Sequence, residues 1–194
     1  MNMDFKSAEE LLNLCEENQL PISEVMRQRE CLLGEVPRDS VNHRMGKAWE
    51  IMRSSATQPL KKPIKSMGGL IGGEAKKLEA HEAKKEEHLR RRAGKKAITY
   101  AMAVLEVNAS MGLIVAAPTA GSAGVVPGMN AGPCRSATGS LTSALWMHCL
   151  TPEPWAIWPC AMQPWPEPWA AAGRGGVASA MAASAAVELS RAGT

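Results

Sequence analysis

Residues 106–128, EVNASMGLIVAAPTAGSAGVVPG, constrain this chain more than any other stretch. The run is apolar, rich in small residues and almost free of charge. Water is a poor solvent for it, so it must be buried or wrapped around a ligand, with the rest of the chain arranged about it. Within it Thr119 and Ser122 offer hydroxyls, and Gly121 and Gly124 leave backbone N–H groups within reach of a carboxylate or phosphate. A buried helix–helix turn explains the same composition equally well.

A chain of 194 residues can bury one sizeable core. Its 22 Lys and Arg against 19 Asp and Glu give a net charge of +3, too mild to imply nucleic acid. The amino-terminal residues are polar and lead straight into an amphipathic pattern, so no signal peptide is expected. No apolar run free of Pro and Gly is long enough to span a membrane. Five irregularly spaced cysteines without a CxxC argue against a secreted disulfide framework. The expected location is the cytoplasm.

Helical spacing recurs along the chain. Leu11, Leu12 and Cys15 predict a helix over 6–18, opened by a Ser7/Glu10 capping box. Pro21 stops it, and Ser23 can cap a second helix through Val25, Met26 and Cys31. After a turn at 34–37, Val41, Met45, Trp49 and Met52 place a third helix over 41–52. Residues 54–63, with two prolines, read as a polar linker. Gly68, Gly69, Gly72 and Gly73 then permit positive φ or close approach to a ligand, although a flexible linker is the competing reading. The pattern is neither GxGxxG nor a P-loop. Residues 76–96 mix Glu and Lys at helical spacing, as a solvated helix face does. The basic cluster at Arg90, Arg91, Arg92, Lys95 and Lys96 lacks interleaved aromatics. His81 starts an HExxH-like string that fails because position 85 is Lys, and His88 is no better a metal ligand. Residues 96–111 predict an apolar helix with Ile98, Met102, Leu105 and Ala109 as its stripe, ended by Gly112.

Taken together, these residues resemble a known family. EVNASMGLIVAAPTAGSAGVVPGM is similar to the signature of iron–sulfur-dependent L-serine dehydratases (L-serine ammonia-lyases), alpha chain or alpha domain. GLIGGEAKKL at 69–78 resembles the family's glycine-rich segment. Ile22, Ser23, Glu24, Val25, Arg29 and Glu30, then Arg44, Met45 and Trp49 to Met52, resemble its amino-terminal helices. Residues 177–189 resemble its small-residue helix. The resemblance covers residues 6–129 and 177–194 and implies an all-α fold, incomplete as it stands and forming a single domain. It implies conversion of L-serine to pyruvate and ammonia. A [4Fe-4S] cluster, held by three cysteines, would leave one iron open as a Lewis acid for the departing hydroxyl. It further implies a beta chain or beta domain as partner, a homo- or hetero-oligomer, and neither nucleic acid nor membrane as a target. The cradle for the substrate's carboxylate and amine is expected at Gly68, Gly69, Gly72, Gly73, Asn108, Pro118, Thr119, Ala120, Gly121 and Ser122, with the base unassigned.

Residues 130–176 depart from that pattern. They hold five of the six tryptophans and seven of the thirteen prolines. Repeated Trp-Pro and Pro-Glu-Pro-Trp do not continue a helix, because proline lacks a donor and clashes with the preceding turn. A Trp/Pro recognition segment is one reading; an off-frame translation is the other. Back-translating residues 162–172 and reading one base earlier permits NATVAGAVGGC, close to the family's own string. Residues 133–142 permit ALQERHGLSD, and 173–176, read one base later, permit AEVG before the frame rejoins at Val177. Three single-base losses account for this. The cysteine of the GGC motif is then missing, the other two cluster ligands are expected beyond Thr194, and Ala123 stands where many relatives carry Cys. Cys134, Cys149 and Cys160 fall in the off-frame stretch, and Cys15 and Cys31 read as core cysteines. The expectation is a chain that neither assembles a family-type cluster nor dehydrates serine, with exposed tryptophans favouring aggregation. The competing classes are a non-catalytic helical protein-interaction module and a basic nucleic-acid binder.

Overall fold

The computed structural model describes residues 5, 7–83, 89–117, 119–131, 175–176, 178–183 and 186. Every regular element among them is helical: α1 (Ala8–Asn18), α2 (Ile22–Leu33), α3 (Arg38–Lys61), α4 (Glu74–Glu82), α5 (Leu89–Ala109), a 3-10 turn (Ala120–Ser122) and α6 (Val125–Ala131). The all-α expectation is met. No helix among the described residues is long and apolar enough to cross a membrane.

The first two helices follow the local sequence signals closely. The Ser7 hydroxyl accepts the Glu10 N–H at 3.2 Å and caps α1. Gln19 closes α1 in the left-handed region, its N–H returning to the carbonyls of Cys15 and Glu16. The cap of α2 is Pro21, not Ser23. Proline's fixed φ presets the entry, and Ser23 lies inside the helix, buried. Leu11 and Val25 close one small apolar cluster against Phe5, Leu14, Cys15, Leu20 and Ile22. Met26 and Val41 close a second with Cys31 and Val36. Arg27 is buried beside them, with Glu24 2.6 Å away, and Glu24 also meets Arg38 at 3.0 Å.

The third helix is longer than its sequence pattern suggests. It runs to Lys61, with Pro59 inside its last turn. The linker reading of 54–63 is therefore overturned. A proline removes only one ladder bond so near a helix end, and burying Ser55, Ala56 and Pro59 offsets that loss. The Ser55 hydroxyl is satisfied by the Met52 carbonyl at 2.9 Å. The charged stretch is likewise not one helix: α4 ends at Glu82 and α5 begins at Leu89.

Helix α5 is the post of the fold and packs on α3, α4 and α6. Its buried side carries Thr99, Ala103, Val104, Glu106 and Val107. The expected stripe is incorrect at Ile98 and Leu105, which are 58% and 38% exposed. Small residues decide the rotation of this helix. A Cβ on Gly124 would lie 2.7 Å from the Ala101 carbonyl oxygen, and one on Gly128 would lie 2.8 Å from that of Ala97. Helix α6 thus approaches α5 at backbone distance along the alanine face. Gly124 is a packing glycine and not the exposed ligand donor expected from the sequence.

Helix α4 is tied to α5 at both ends. Ala75 N–H meets Glu106 Oε1 at 2.8 Å, and the Thr99 hydroxyl meets Glu82 Oε1 at 2.9 Å. The two helices are therefore antiparallel. The central apolar cluster joins Trp49 and Met52 of α3 to Ala117, Val126, Met181 and Ala182. Ala56, Val104 and Ala123 form its neighbour. Residues 132–174 lie outside the described residues, so the segment expected to be off-frame has no structural account.

Candidate functional site

The last turns of α5 hold the 3-10 turn of one glycine-bearing loop and the start of α4, directly after the other. Sequence explains why the helix ends there: Met111 takes φ 59, and Gly112 returns its N–H to the Val107 carbonyl at 2.8 Å. A side chain on Gly112 would strike Val107. Just before this end stand Glu106 and Asn108, two residues apart and so on nearly opposite sides of the helix.

On one side, residues 66–71 close on themselves. Ser66 N–H bonds the Ile71 carbonyl at 2.7 Å, Gly69 N–H bonds the Ser66 carbonyl at 2.9 Å, and Ile71 N–H meets the Ser66 hydroxyl at 3.1 Å. Gly69, Gly72 and Gly73 all have positive φ. Gly72 must remain glycine, since a Cβ there would collide with the Ile64 carbonyl oxygen. Gly73 caps α4 without a side chain to offer, and the acids around it take that role. Glu74 accepts the Gly72 N–H at 2.6 Å, while Glu106 reaches across from α5 to the Ala75 N–H. Its own backbone amide, first, and then that of Gly72 hold the Glu74 carboxyl below the usual carboxylate range; Lys77 and the Glu106 carboxyl add to this. Gly68 is exposed, and nothing packs where its side chain would be.

On the other side, Asn108 donates from Nδ2 to the Ala120 carbonyl at 3.1 Å. Thr119 and Ser122 form a reciprocal capping box around the 3-10 turn. The Ser122 hydroxyl lies 3.0 Å from Thr119 Oγ1 and 3.0 Å from the Ala117 carbonyl. It is buried and fastens the loop to itself, whereas Ala120 and Gly121 present their backbone at the surface. Pro118 lies outside the described residues. Of the expected cradle residues that the structure describes, Asn108 lies in the last turn of α5, and Thr119, Ala120, Gly121 and Ser122 lie in the turn it holds. Gly68, Gly69, Gly72 and Gly73 lie in the loop just before the α4 turn that Glu106 holds. No hydrogen bond joins 68–73 to 119–122 among the described residues.

The residue that sequence reasoning passed over is Glu106. It is 1% exposed, and its Oε2 has no hydrogen-bond partner among the described residues. Its signal was present, as the one acid in an otherwise apolar run.

The described residues do not fit a [4Fe-4S] cluster, which needs converging thiolates. Cys15 and Cys31 are half-buried, each packed in a different apolar cluster near the amino terminus. No three His, Cys, Asp or Glu side chains converge among the described residues. Cys134, Cys149, Cys160 and His88 lie outside them.

Comparison with known proteins agrees with the sequence signature. The family model described as serine dehydratase alpha chain matches residues 17–150. The match passes Met129 and enters the stretch expected to be off-frame, ending before the Trp/Pro repeats at 155–169. The chain is 37% identical over 132 residues to the probable L-serine dehydratase, alpha chain, of Bacillus subtilis (strain 168), covering 64% of this chain and 41% of that protein. It is 30% identical over 125 residues to the L-serine dehydratase, alpha chain, of Peptoniphilus asaccharolyticus, covering 64% and 42%. It is 32% identical over 129 residues to the L-serine dehydratase of Streptomyces coelicolor (strain ATCC BAA-471 / A3(2) / M145), covering 63% and 27%. The chain therefore spans less than half the length of these relatives. No solved structure matches it.

Proposed function

The chain belongs to the serine dehydratase alpha chain family, and from that premise we propose that it carries the substrate-holding part of an L-serine ammonia-lyase. The observation that supports this most strongly is the coincidence of family match and geometry. The matched span contains both glycine-rich loops, and α5 reaches each with one polar side chain, Asn108 to the Ala120 carbonyl of one and Glu106 to the first turn of α4 directly after the other.

The reaction converts L-serine to pyruvate and ammonia. The α-proton and the β-hydroxyl leave together as water, and the aminoacrylate formed tautomerises to an imine that water hydrolyses. Holding a small zwitterion for this needs donors for its carboxylate and an acceptor for its ammonium. The exposed backbone at Ala120 and Gly121 is suited to the carboxylate, and the acids flanking Gly73 are suited to the ammonium. The iron–sulfur chemistry expected of the family would draw on thiolates outside the described residues, and no step here depends on it. A beta chain or beta domain is the proposed partner.

We further propose that the reading frame departs within 130–176, so that this exact chain is inactive. Anaerobic reconstitution with iron and sulfide tests both statements. Pyruvate should form from L-serine with a frame-corrected protein extended to the length of the relatives, and not with this chain. A corrected, reconstituted protein that forms no pyruvate would overturn the activity. Pyruvate from this exact chain, or accurate reads showing an intact frame through Trp146 and Trp169, would overturn the inactivity.

A further inference from the structure

Glu106 has one oxygen accounted for and one not. Oε1 accepts the Ala75 N–H at 2.8 Å and directs the carboxylate at the start of α4. Oε2 is buried and without a partner among the described residues. Leaving a buried acceptor unsatisfied is costly, more so for a carboxylate, and folded proteins rarely keep one without a use for it. The α4 N-terminus already has its anion in Oε1 and Glu74, so a further anion is disfavoured. What the remaining oxygen lacks is a donor carrying positive charge. The Glu74 carboxyl, held below the usual carboxylate range in part by the Glu106 carboxyl, is ionised at neutral pH and favours a positively charged donor. In the loop that enters α4, Gly68 and Gly69 are both exposed and neither would meet a neighbour through a side chain.

We infer that Glu106 Oε2 receives the α-ammonium of an amino-acid ligand, at the point where the 68–73 loop enters α4. This rests on the reading of L-serine as substrate and adds to it the residue that distinguishes an amino acid from a hydroxy acid. A primary ammonium fits the chemistry: it is compact, positive and brings three donors, one for Oε2 and others for nearby acceptors.

The test is calorimetric titration of the chain itself with L-serine and with 3-hydroxypropanoate, which keeps the carboxylate and hydroxyl but lacks the ammonium. Glu106→Gln keeps an oxygen for the Ala75 N–H and puts an NH2 group where Oε2 stood, so the α4 cap survives while the ammonium is repelled. The expected result is weaker L-serine binding by tenfold or more in E106Q, with 3-hydroxypropanoate bound as in the parent. L-serine bound equally by parent and E106Q overturns the inference and leaves the substrate reading standing. Parent chain that binds neither compound overturns the substrate reading, and the inference with it. Should E106Q fail to fold, the parent decides with its amide spectrum: a preference for L-serine accompanied by a shift of the Ala75 amide upholds the inference, and equal affinity for the two compounds or an unmoved Ala75 amide overturns it.

Discussion

Two glycines should respond to the same substitution with opposite signs. At Gly124 a new Cβ would sit 2.7 Å from the Ala101 carbonyl oxygen, 3.1 Å from its Cα and 3.2 Å from its carbonyl carbon. Comfortable carbon contacts are about 3.5–4.0 Å. All three neighbours are backbone, so no side chain can swing aside; α5 and the start of α6 must separate. Overpacking of this kind costs about 1–3 kcal/mol. For a chain of this size each kcal/mol moves Tm by about 2–4 °C, so Gly124→Ala should lower Tm by roughly 2–12 °C. Gly46 lies inside α3, and nothing stands within 4 Å of its Cβ position. There alanine brings only a better helix former, worth about 0.5–1 kcal/mol, and should raise Tm by roughly 1–4 °C. Thermal unfolding followed by far-UV circular dichroism measures both. A Gly124→Ala protein as stable as the parent would refute the close α5–α6 crossing. A destabilised Gly46→Ala would refute the open environment of α3 at that point.

Other expectations follow from the loops. Gly72→Ala combines a positive φ with a backbone collision, so it should cost about 1–3 kcal/mol from the conformation alone, read as a lower urea midpoint. Ser122→Ala removes the hydroxyl that fastens the 3-10 turn, at about 1–2 kcal/mol, whereas Gly121→Ala at the exposed tip should leave Tm unchanged and weaken L-serine binding. The Glu74 carboxyl is depressed in the folded state, so the unfolded chain takes up its proton first as acid is added. Its stabilisation is present above the ordinary glutamate value of about 4.3 and is lost as pH falls through the lower folded value. Urea unfolding from neutral to acid pH should show a shallower loss for Glu74→Gln than for the parent, and identical slopes would contradict that role.

Much of the helical framework is legible in the sequence because local signals coincide with it. Ser7 caps α1, Pro21 separates α1 from α2, and Trp49 and Met52 mark the buried face of α3. Three features escape local reading. Pro59 looks like a terminator, yet tertiary burial carries α3 past it. The α5 stripe misleads because the large apolar residues Ile98 and Leu105 are displaced by a closer fit of Ala97 and Ala101 against Gly124 and Gly128. A periodicity weighted by side-chain size misses an interface built from small residues. The role of Glu106 is nonlocal as well: its partner Ala75 is 31 residues away, and only the antiparallel packing of α4 on α5 joins them. At the loops, glycine spacing shows where the backbone bends but not which glycines bend for structure. Gly72 and Gly124 do, whereas Gly68 has open space around it and Gly121 only the Thr119 hydroxyl, 4.0 Å from its Cβ position.

The most direct measurement of whether these loops hold L-serine is an amide NMR titration of the chain with that amino acid. The expected result is saturable shifts at Gly68, Gly69, Gly72 and Gly73 and at Thr119, Ala120, Gly121 and Ser122, with the amides of α1 and α2 unmoved. No shifts at saturating L-serine, or shifts confined to α1 and α2, would contradict it.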